Sequence, residues 1–147
     1  MLETLVQNKT FSLLHEDHLS SLEVSKHIQQ GLKHNIDLNR IWEYVLWYWN
    51  STLKAHFEIE EQIFQHIPAE NELLKKTQTQ HRRIKRLFET ASRDIKTLNH
   101  IEEELERLIR FEEHHLYNDL IEIIPLKNIQ ISYKHKASSL WKDPFWL

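Results

Sequence analysis

Apolar residues recur at alternating steps of three and four along most of the chain, which is the spacing of one face of an α-helix. Four stretches carry this pattern and predict helices over residues 10–33, 37–66, 69–97 and 100–124. Short connections join them, as in antiparallel helix bundles. The sequence therefore predicts an all-α fold, an up-down-up-down four-helix bundle forming one domain over residues 1–125.

Few residues mark the helix ends. Gly31 lies close to the predicted end of the first helix, and Asp37 is the predicted cap of the second. Pro68 stops the second helix and is expected in the first turn of the third. Asn99 is the candidate turn before the fourth helix, which Pro125 closes.

Two further details concern the spacing of residues along the apolar faces. In the second helix one step is four residues, from Trp49 to Leu53, where three would be strict. The third face is predicted to continue through Ala91, Ile95 and Leu98. Both faces are expected to point toward the other helices of the bundle.

A tail with several aromatic residues, residues 126–147, follows the helices. We expect it to pack on one end of the bundle, and a partner's groove is the alternative. The second helix carries Trp42, Trp47 and Trp49, more aromatic surface than one helix contact can bury. A homodimer formed through this aromatic surface is therefore an open alternative.

The composition excludes several classes of protein. The 147 residues include eleven His, one Gly and no Cys, with a net charge of −3 when His is neutral. Thiolate metal sites, cysteine nucleophiles and Gly-rich phosphate loops are therefore excluded, and the negative charge argues against a nucleic-acid partner. No membrane partner is expected, because no run approaches about 18 apolar residues. Without a basic, signal-like N-terminus, we expect a cytoplasmic protein.

Polar residues interrupt every apolar face near its middle, and burying them unpaired would cost several kcal/mol each. Counting about 1.5 Å per residue from each turn places them within one or two helical turns of a common layer. Imidazoles and carboxylates that converge inside a bundle are typical of di-iron and di-manganese centres, and without thiolates the donors suit iron or manganese, with zinc as an alternative. The predicted metal ligands are His18, His56, Glu60, His81, Glu112, His115 and Asp119.

A resemblance to a known family supports this interpretation. The run from His56 to Phe64 resembles the signature of hemerythrin-like proteins, the HHE cation-binding domains, which is His-Phe-x-x-Glu-Glu followed by an aliphatic residue and Phe. Asp17-His18 and Gln80-His81 are similar to that family's first and third ligand helices, and residues 110–113 to its final Glu-Glu motif. The resemblance covers residues 10–125. It implies a four-helix bundle with a non-haem, usually di-iron, centre and a bridging carboxylate.

This chain departs from the family at two positions. The family's last helix carries His four residues before its Glu-Glu pair, where this chain has Leu108, and the first helix often reads Asp-His-His, where it has Leu19. The helical phase favours His115 as the inward replacement. The five-residue spacing from His114 to Asp119, which is similar to that of oxygen-carrying hemerythrins, is the alternative.

The other histidines are divided by position. His15 lies one turn before His18 and is its rival as a ligand. The five predicted surface histidines are His27, His34, His66, His100 and His135.

The resemblance implies a protein that binds or senses O₂ or another small ligand such as NO, or handles iron. We expect reversible binding or sensing rather than an enzyme, because no second acid–base constellation is present to process a substrate. The alternative is a helical interaction module whose metal site is mononuclear or lost, which Leu108 and the aromatic tail motivate.

Overall fold

Residues 8–90, 92–123 and 140–147 are described by a computed structural model, and this part of the chain contains helices and no strand. Helix α1 is Lys9–Lys33, α2 covers residues 38–64, α3 is Glu72–Glu89 and α4 covers residues 95–123. The all-helical fold is therefore confirmed. No helix in the described ranges has both the length and the apolar character needed to cross a membrane. The predictions for Ala91, Pro125 and residues 126–139 lie outside the described residues.

Helices α2 and α4 each contain one π-helical segment. Helix α2 is α-helical over Leu38–Tyr48, π-helical over Trp49–Leu53 and α-helical again over Lys54–Phe64. Helix α4 is α-helical over Ile95–Phe111, π-helical over Glu112–Leu116 and α-helical over Tyr117–Ile123. In a π segment the backbone N–H bonds to the carbonyl five residues back, which inserts about one residue and rotates the residues that follow.

Polar side chains cap the helix starts by accepting backbone N–H bonds. The Asp37 carboxylate accepts from the N–H of Asn39 at 2.8 Å, as the sequence predicts. Helix α3 begins later than predicted, because the side chain of Asn71 accepts from the N–H of Leu74 at 3.0 Å. Pro68 consequently lies in the turn before α3 rather than in its first turn.

The predicted turn at Asn99 is wrong. Helix α3 ends at Glu89, and α4 begins at Ile95, where the carboxylate of Asp94 accepts from the N–H of Thr97 at 2.7 Å. Asn99 consequently lies within α4. Leu98 is fully buried on α4, whereas Ile95 is 52% exposed, so neither belongs to the apolar face of α3. The break between α3 and α4 is therefore marked by the Asp94 cap of α4, and not by Gly or Pro.

The core consists of two apolar clusters, one on each side of a polar layer. Val24, Leu53 and Leu108 belong to one cluster, and Leu14 and Leu116 to the other. Along α1, α2, α3 and α4, the change from one cluster to the other occurs around a buried polar side chain. These polar residues are His18, His56, His81 and Glu112.

Residues 140–147 pack on the end of the bundle formed by α1 and α2. The ring of Trp146 stacks on that of His27 at a centroid distance of 3.8 Å, so His27 is half-buried and not a simple surface residue. Phe145 is 3% exposed, and Arg40 donates to Asp143 at 2.6 and 2.8 Å. These contacts hold the described part of the tail against α1 and α2.

Candidate metal centre

The polar layer contains three imidazoles and two carboxylates from all four helices. His18, His56 and His81 are at most 5% exposed, and Glu60 and Glu112 are fully buried. One donor atom from each of His18, His56, Glu60 and Glu112 lies within 4.8 Å of the others. The structure therefore brings five of the seven predicted ligands together in one buried layer, and these four of them form a group that could hold a metal ion.

The carboxylate of Glu112 lies between two imidazoles. Its Oε1 is 3.0 Å from Nε2 of His18, and its Oε2 is 2.9 Å from Nε2 of His81. The hydroxyl of Thr77 donates to the same Oε2 at 2.5 Å and fixes the orientation of the carboxylate. The two oxygens of Glu112 therefore face different histidines.

Glu60 is shared in the same way. Its Oε1 lies 3.0 Å from Nε2 of His56 and 3.3 Å from Nε2 of His81. Its Oε2 accepts a hydrogen bond of 2.8 Å from the hydroxyl of Tyr117 and lies 3.9 Å from Nε2 of His18. Each buried carboxylate thus offers one oxygen to the His18 side of the layer and the other to the His81 side.

The outer nitrogen of each imidazole lies against a further carboxylate. Nδ1 of His56 is 3.0 Å from Asp17, Nδ1 of His81 is 3.1 Å from Glu61, and Nδ1 of His18 is 3.2 Å from Glu113. For His56 and His81 this contact is a hydrogen bond, and a carboxylate bonded in this way fixes the tautomer and the orientation of the ring, as it does behind many metal-bound histidines. The inner Nε2 atoms of His18 and His81 form hydrogen bonds with Glu112, and Nε2 of His56 lies 3.0 Å from Oε1 of Glu60.

These charges perturb one another strongly. Burial by itself lowers the pKa of His18, but hydrogen bonds with Glu112 and Glu113 outweigh it and raise that pKa to about 10. The pKa of His81 is likewise raised despite burial, by Glu112, Glu60 and Glu61. Burial acts to raise the pKa of Glu60, but His56 and His81 bring it well below its usual range. Without a metal, protonated imidazoles therefore balance the buried carboxylates.

Protonation of the imidazoles does not give every buried atom of the group a hydrogen bond. Nε2 of His56 and Oε1 of Glu60 are 3.0 Å apart, yet neither makes a well-aligned hydrogen bond to any described residue. Buried polar atoms without such a bond cost free energy. A cation that accepts a lone pair from both atoms would remove this cost, so the donors fit a metal ion chemically. Nitrogen and oxygen donors without sulfur suit iron, manganese or zinc.

The structure does not bring His115 and Asp119 into this group. His115 is exposed and its ring packs against Phe111, and Asp119 is partly exposed. The prediction that His115 faces inward is wrong. The π segment Glu112–Leu116 inserts about one residue, so each inward position falls about one residue later in the sequence. Leu116 and Leu120 occupy the inward positions instead.

The structure also distinguishes between the histidines that the sequence offers as alternative ligands. His18 lies inside the group, whereas His15 is partly exposed and its Nδ1 contacts Glu113 at 2.5 Å. His114 is exposed, as His115 is, so the structure brings neither into the group. Leu108, at the position where hemerythrin-like proteins carry His, is a buried apolar side chain.

Tyr117 is the residue of the site that the sequence analysis missed. It is 2% exposed, and its hydroxyl lies between Glu60 and His18. The apolar residues Leu116, Tyr117 and Leu120 are the signal that could have located it. They continue the inward face of the helix only if a π segment inserts one residue before them. Regular α-helical spacing from Glu112 predicts His115 at the inward position instead.

The three outer carboxylates had a simpler signal. Asp17, Glu61 and Glu113 are each adjacent in sequence to an inner residue of the group. Neighbouring side chains on a helix diverge by about 100°. A carboxylate next to an inward residue therefore lies at the edge of the helix face, where it reaches the imidazole of a neighbouring helix.

Two clefts reach the polar layer from opposite sides. One of about 430 Å³ lies beside His81 and is lined by Trp49, Phe57 and Arg82, among others. The other, of about 390 Å³, lies beside His18 between α1 and α4. Small molecules or ions could approach the buried group along either side.

Comparisons of the chain with protein-family models, with curated proteins and with solved structures gave no match.

Proposed function

We propose that the chain is a hemerythrin-like metal-binding protein with a non-haem di-iron centre, which binds or senses O₂ or another small ligand such as NO. The observation that carries this proposal is the sharing of Glu60 and Glu112, each of which offers its two oxygens to different imidazoles. A carboxylate shared in this way can bridge two cations.

The proposed bundle has up-down-up-down topology. Contacts between neighbouring helices run in opposite sequence directions: in α1 and α4, His18 contacts Glu112 and Ser25 contacts Glu102. In α1 and α2, His56 contacts Asp17 and Tyr44 contacts His27. These pairs support antiparallel neighbours, which is the arrangement that brings the middle of every helix to one layer.

In the proposed centre, the imidazoles of His18, His56 and His81 and the carboxylates of Glu60 and Glu112 would hold the irons. Iron, when bound, supplies a site at which a small molecule such as O₂ can coordinate reversibly. Asp17 and Glu61 keep the imidazoles of His56 and His81 in the tautomer that presents Nε2 inward. The apolar clusters on both sides of the layer exclude water from the buried donors.

We favour binding or sensing over turnover because no further acid–base pair lies inside the polar layer. Every titratable side chain described there either belongs to the proposed ligand set or orients one of its members. Handling of iron, with release and uptake through the clefts, is the related alternative within the same site. Manganese or zinc in place of iron would keep the site but change its chemistry.

The test is reconstitution of the purified full chain with ferrous iron under anaerobic conditions, followed by iron analysis and thermal unfolding. We expect about two irons per chain and a raised melting temperature, because a ligand that binds only the folded state stabilises it. The variant His56→Ala should lose iron, whereas the matched control His66→Ala, which changes an exposed histidine, should retain it. Iron-free protein of unchanged stability would refute the proposal and favour the interaction module.

A further inference from the structure

Tyr117 has an unusual position for a tyrosine in a bundle core. Its hydroxyl donates to Oε2 of Glu60 at 2.8 Å and lies 3.4 Å from Nε2 of His18. Its ring stacks on His18 at a centroid distance of 5.3 Å and meets Phe11 edge-on. Both ends of the side chain are thereby fixed, and the hydroxyl is directed at the polar layer.

The layer is asymmetric around this hydroxyl. On one side, Nε2 of His56 and His81 both face Oε1 of Glu60. On the other side, His18 is the single imidazole among the described residues near Oε2 of Glu60 and Oε1 of Glu112. The hydroxyl of Tyr117 adds a fourth donor atom to the His18 side.

The distances on the His18 side are compatible with one shared ion. Donor atoms that bind one ion at about 2.1 Å can lie at most about 4.2 Å apart. The hydroxyl of Tyr117 lies 2.8 Å from Oε2 of Glu60 and 3.4 Å from Nε2 of His18. Oε1 of Glu112 lies 3.0 Å from the same Nε2, and Oε2 of Glu60 lies 3.9 Å from it. These four of the six separations among the donor atoms are below that limit.

We propose that Tyr117 is a ligand of the iron on the His18 side, bound through its phenolate oxygen, and that this half of the centre selects ferric over ferrous iron. This inference rests on the proposed iron centre. When the ion binds, a bond forms between the phenolate oxygen and iron, and the hydroxyl proton now donated to Glu60 leaves to solvent. No electron transfer is involved, because the ion that binds is already ferric.

The selectivity follows from charge. A phenolate adds one negative charge to a half-site that has one neutral imidazole and shares two carboxylates with the other half. The attraction between ion and ligands grows with the charge of the ion, and in a buried, low-dielectric layer this difference is large. In the described part of the chain, no phenol oxygen lies beside His56 and His81, so this half-site is expected to discriminate less between the two oxidation states.

The experiment uses the full chain loaded with ferric iron from its nitrilotriacetate complex. The readout is resonance Raman scattering excited in the visible absorption band, on protein made with ordinary or ring-deuterated tyrosine. Phenolate ring modes that shift on deuteration are expected. Bound iron without these modes would overturn the inference and leave the proposed function intact, whereas protein that binds no iron would overturn both.

The variant Tyr117→Phe provides the second measurement. It should lose the phenolate modes and ferric iron while it still binds ferrous iron or zinc at the His56 and His81 side. The matched control is Tyr44→Phe, another buried tyrosine, whose hydroxyl contacts His27 outside the polar layer. Ring modes that persist in Tyr117→Phe, or that disappear in Tyr44→Phe, would contradict the assignment. The deuterated wild type decides the matter even where a variant folds poorly.

Discussion

Nδ1 of His56 lies 3.0 Å from Oδ2 of Asp17, although the two residues belong to different helices and both are at most 2% exposed at their side chains. This contact ties α2 to α1 at the height of the proposed centre. Because a carboxylate holds the outer nitrogen, the inner Nε2 of His56 is directed at Glu60. The ligand is therefore oriented before any ion binds.

The variant Asp17→Asn tests this orientation. An amide cannot carry the charge of the carboxylate, and loss of such an outer partner lowers metal affinity by about 10–100-fold. The measurement is competition with a chelator of known affinity, using zinc as the probe ion. The control is Glu16→Gln, which changes the exposed neighbour and should leave the affinity unchanged. Equal affinities for Asp17→Asn and the wild type would contradict an orienting role.

The variant Glu60→Gln tests the shared carboxylate. Removing one charged oxygen deprives both halves of the centre of a ligand, so we expect metal per chain to fall to near zero. Elemental analysis after reconstitution gives this number directly. Glu58→Gln is the matched control, because Glu58 is an exposed glutamate two residues away. Retention of the full metal content by Glu60→Gln would show that the carboxylate is not shared between ions.

A comparison of two histidine variants separates the π-shifted phase from the regular helical phase. His81→Ala should lose metal, since its Nε2 faces both shared carboxylates. His115→Ala should keep it, because His115 is exposed beyond the π segment Glu112–Leu116. Loss of metal in His115→Ala with full metal in His81→Ala would support regular α-helical geometry and contradict the π segment Glu112–Leu116.

The metal-free protein should lose stability as the pH rises. The pKa of His18 is raised from 6.5 to about 10 in the folded state, so its stabilising contribution is complete below pH 6.5 and is lost as the pH approaches 10. The pKa of Glu60 is lowered, so its contribution is present above about pH 4.5 and does not change in this window. We expect the free energy of unfolding to decrease by a few kcal/mol across the window.

Denaturant unfolding at several pH values measures this decrease, with the metal-loaded protein as the control. In the loaded protein the ion replaces the protons on the imidazoles, so the decrease should be smaller. A metal-free protein whose stability rises from pH 6.5 to pH 10 would contradict the buried, protonated His18.

Gly31 is required by a close approach of chain segments. A Cβ at this position would lie 2.8 Å from Cδ1 of Ile41 and 2.8 Å from Cε1 of Phe145. Overpacking of this kind costs about 1–3 kcal/mol, while the gain in helix propensity from Gly to Ala returns about 1 kcal/mol. We expect Gly31→Ala to be destabilised by about 1 kcal/mol on balance in urea unfolding. The exposed Gln30→Ala is the control, and a more stable Gly31→Ala would show that the tail does not press on α1.

Much of the fold and part of the site could be predicted from the local sequence pattern. The apolar spacing and the cap at Asp37 locate the first two helices, because helix faces and caps depend on residues within a few positions of each other. His18, His56 and His81 could be placed in one layer because their heights follow from counting about 1.5 Å per residue from the turns. The boundary at Asn99 failed because two polar residues competed as caps, and Asp94 makes the observed bond.

The amino-acid sequence by itself determined that the chain is helical and that its apolar faces carry imidazoles and carboxylates without thiolates. Only the tertiary structure decided which donors meet, because a single inserted residue in the π segment Glu112–Leu116 turns His115 outward and Tyr117 inward. Whether a helix accepts such an insertion depends on how its side chains pack against three neighbours, and no local pattern contains that information.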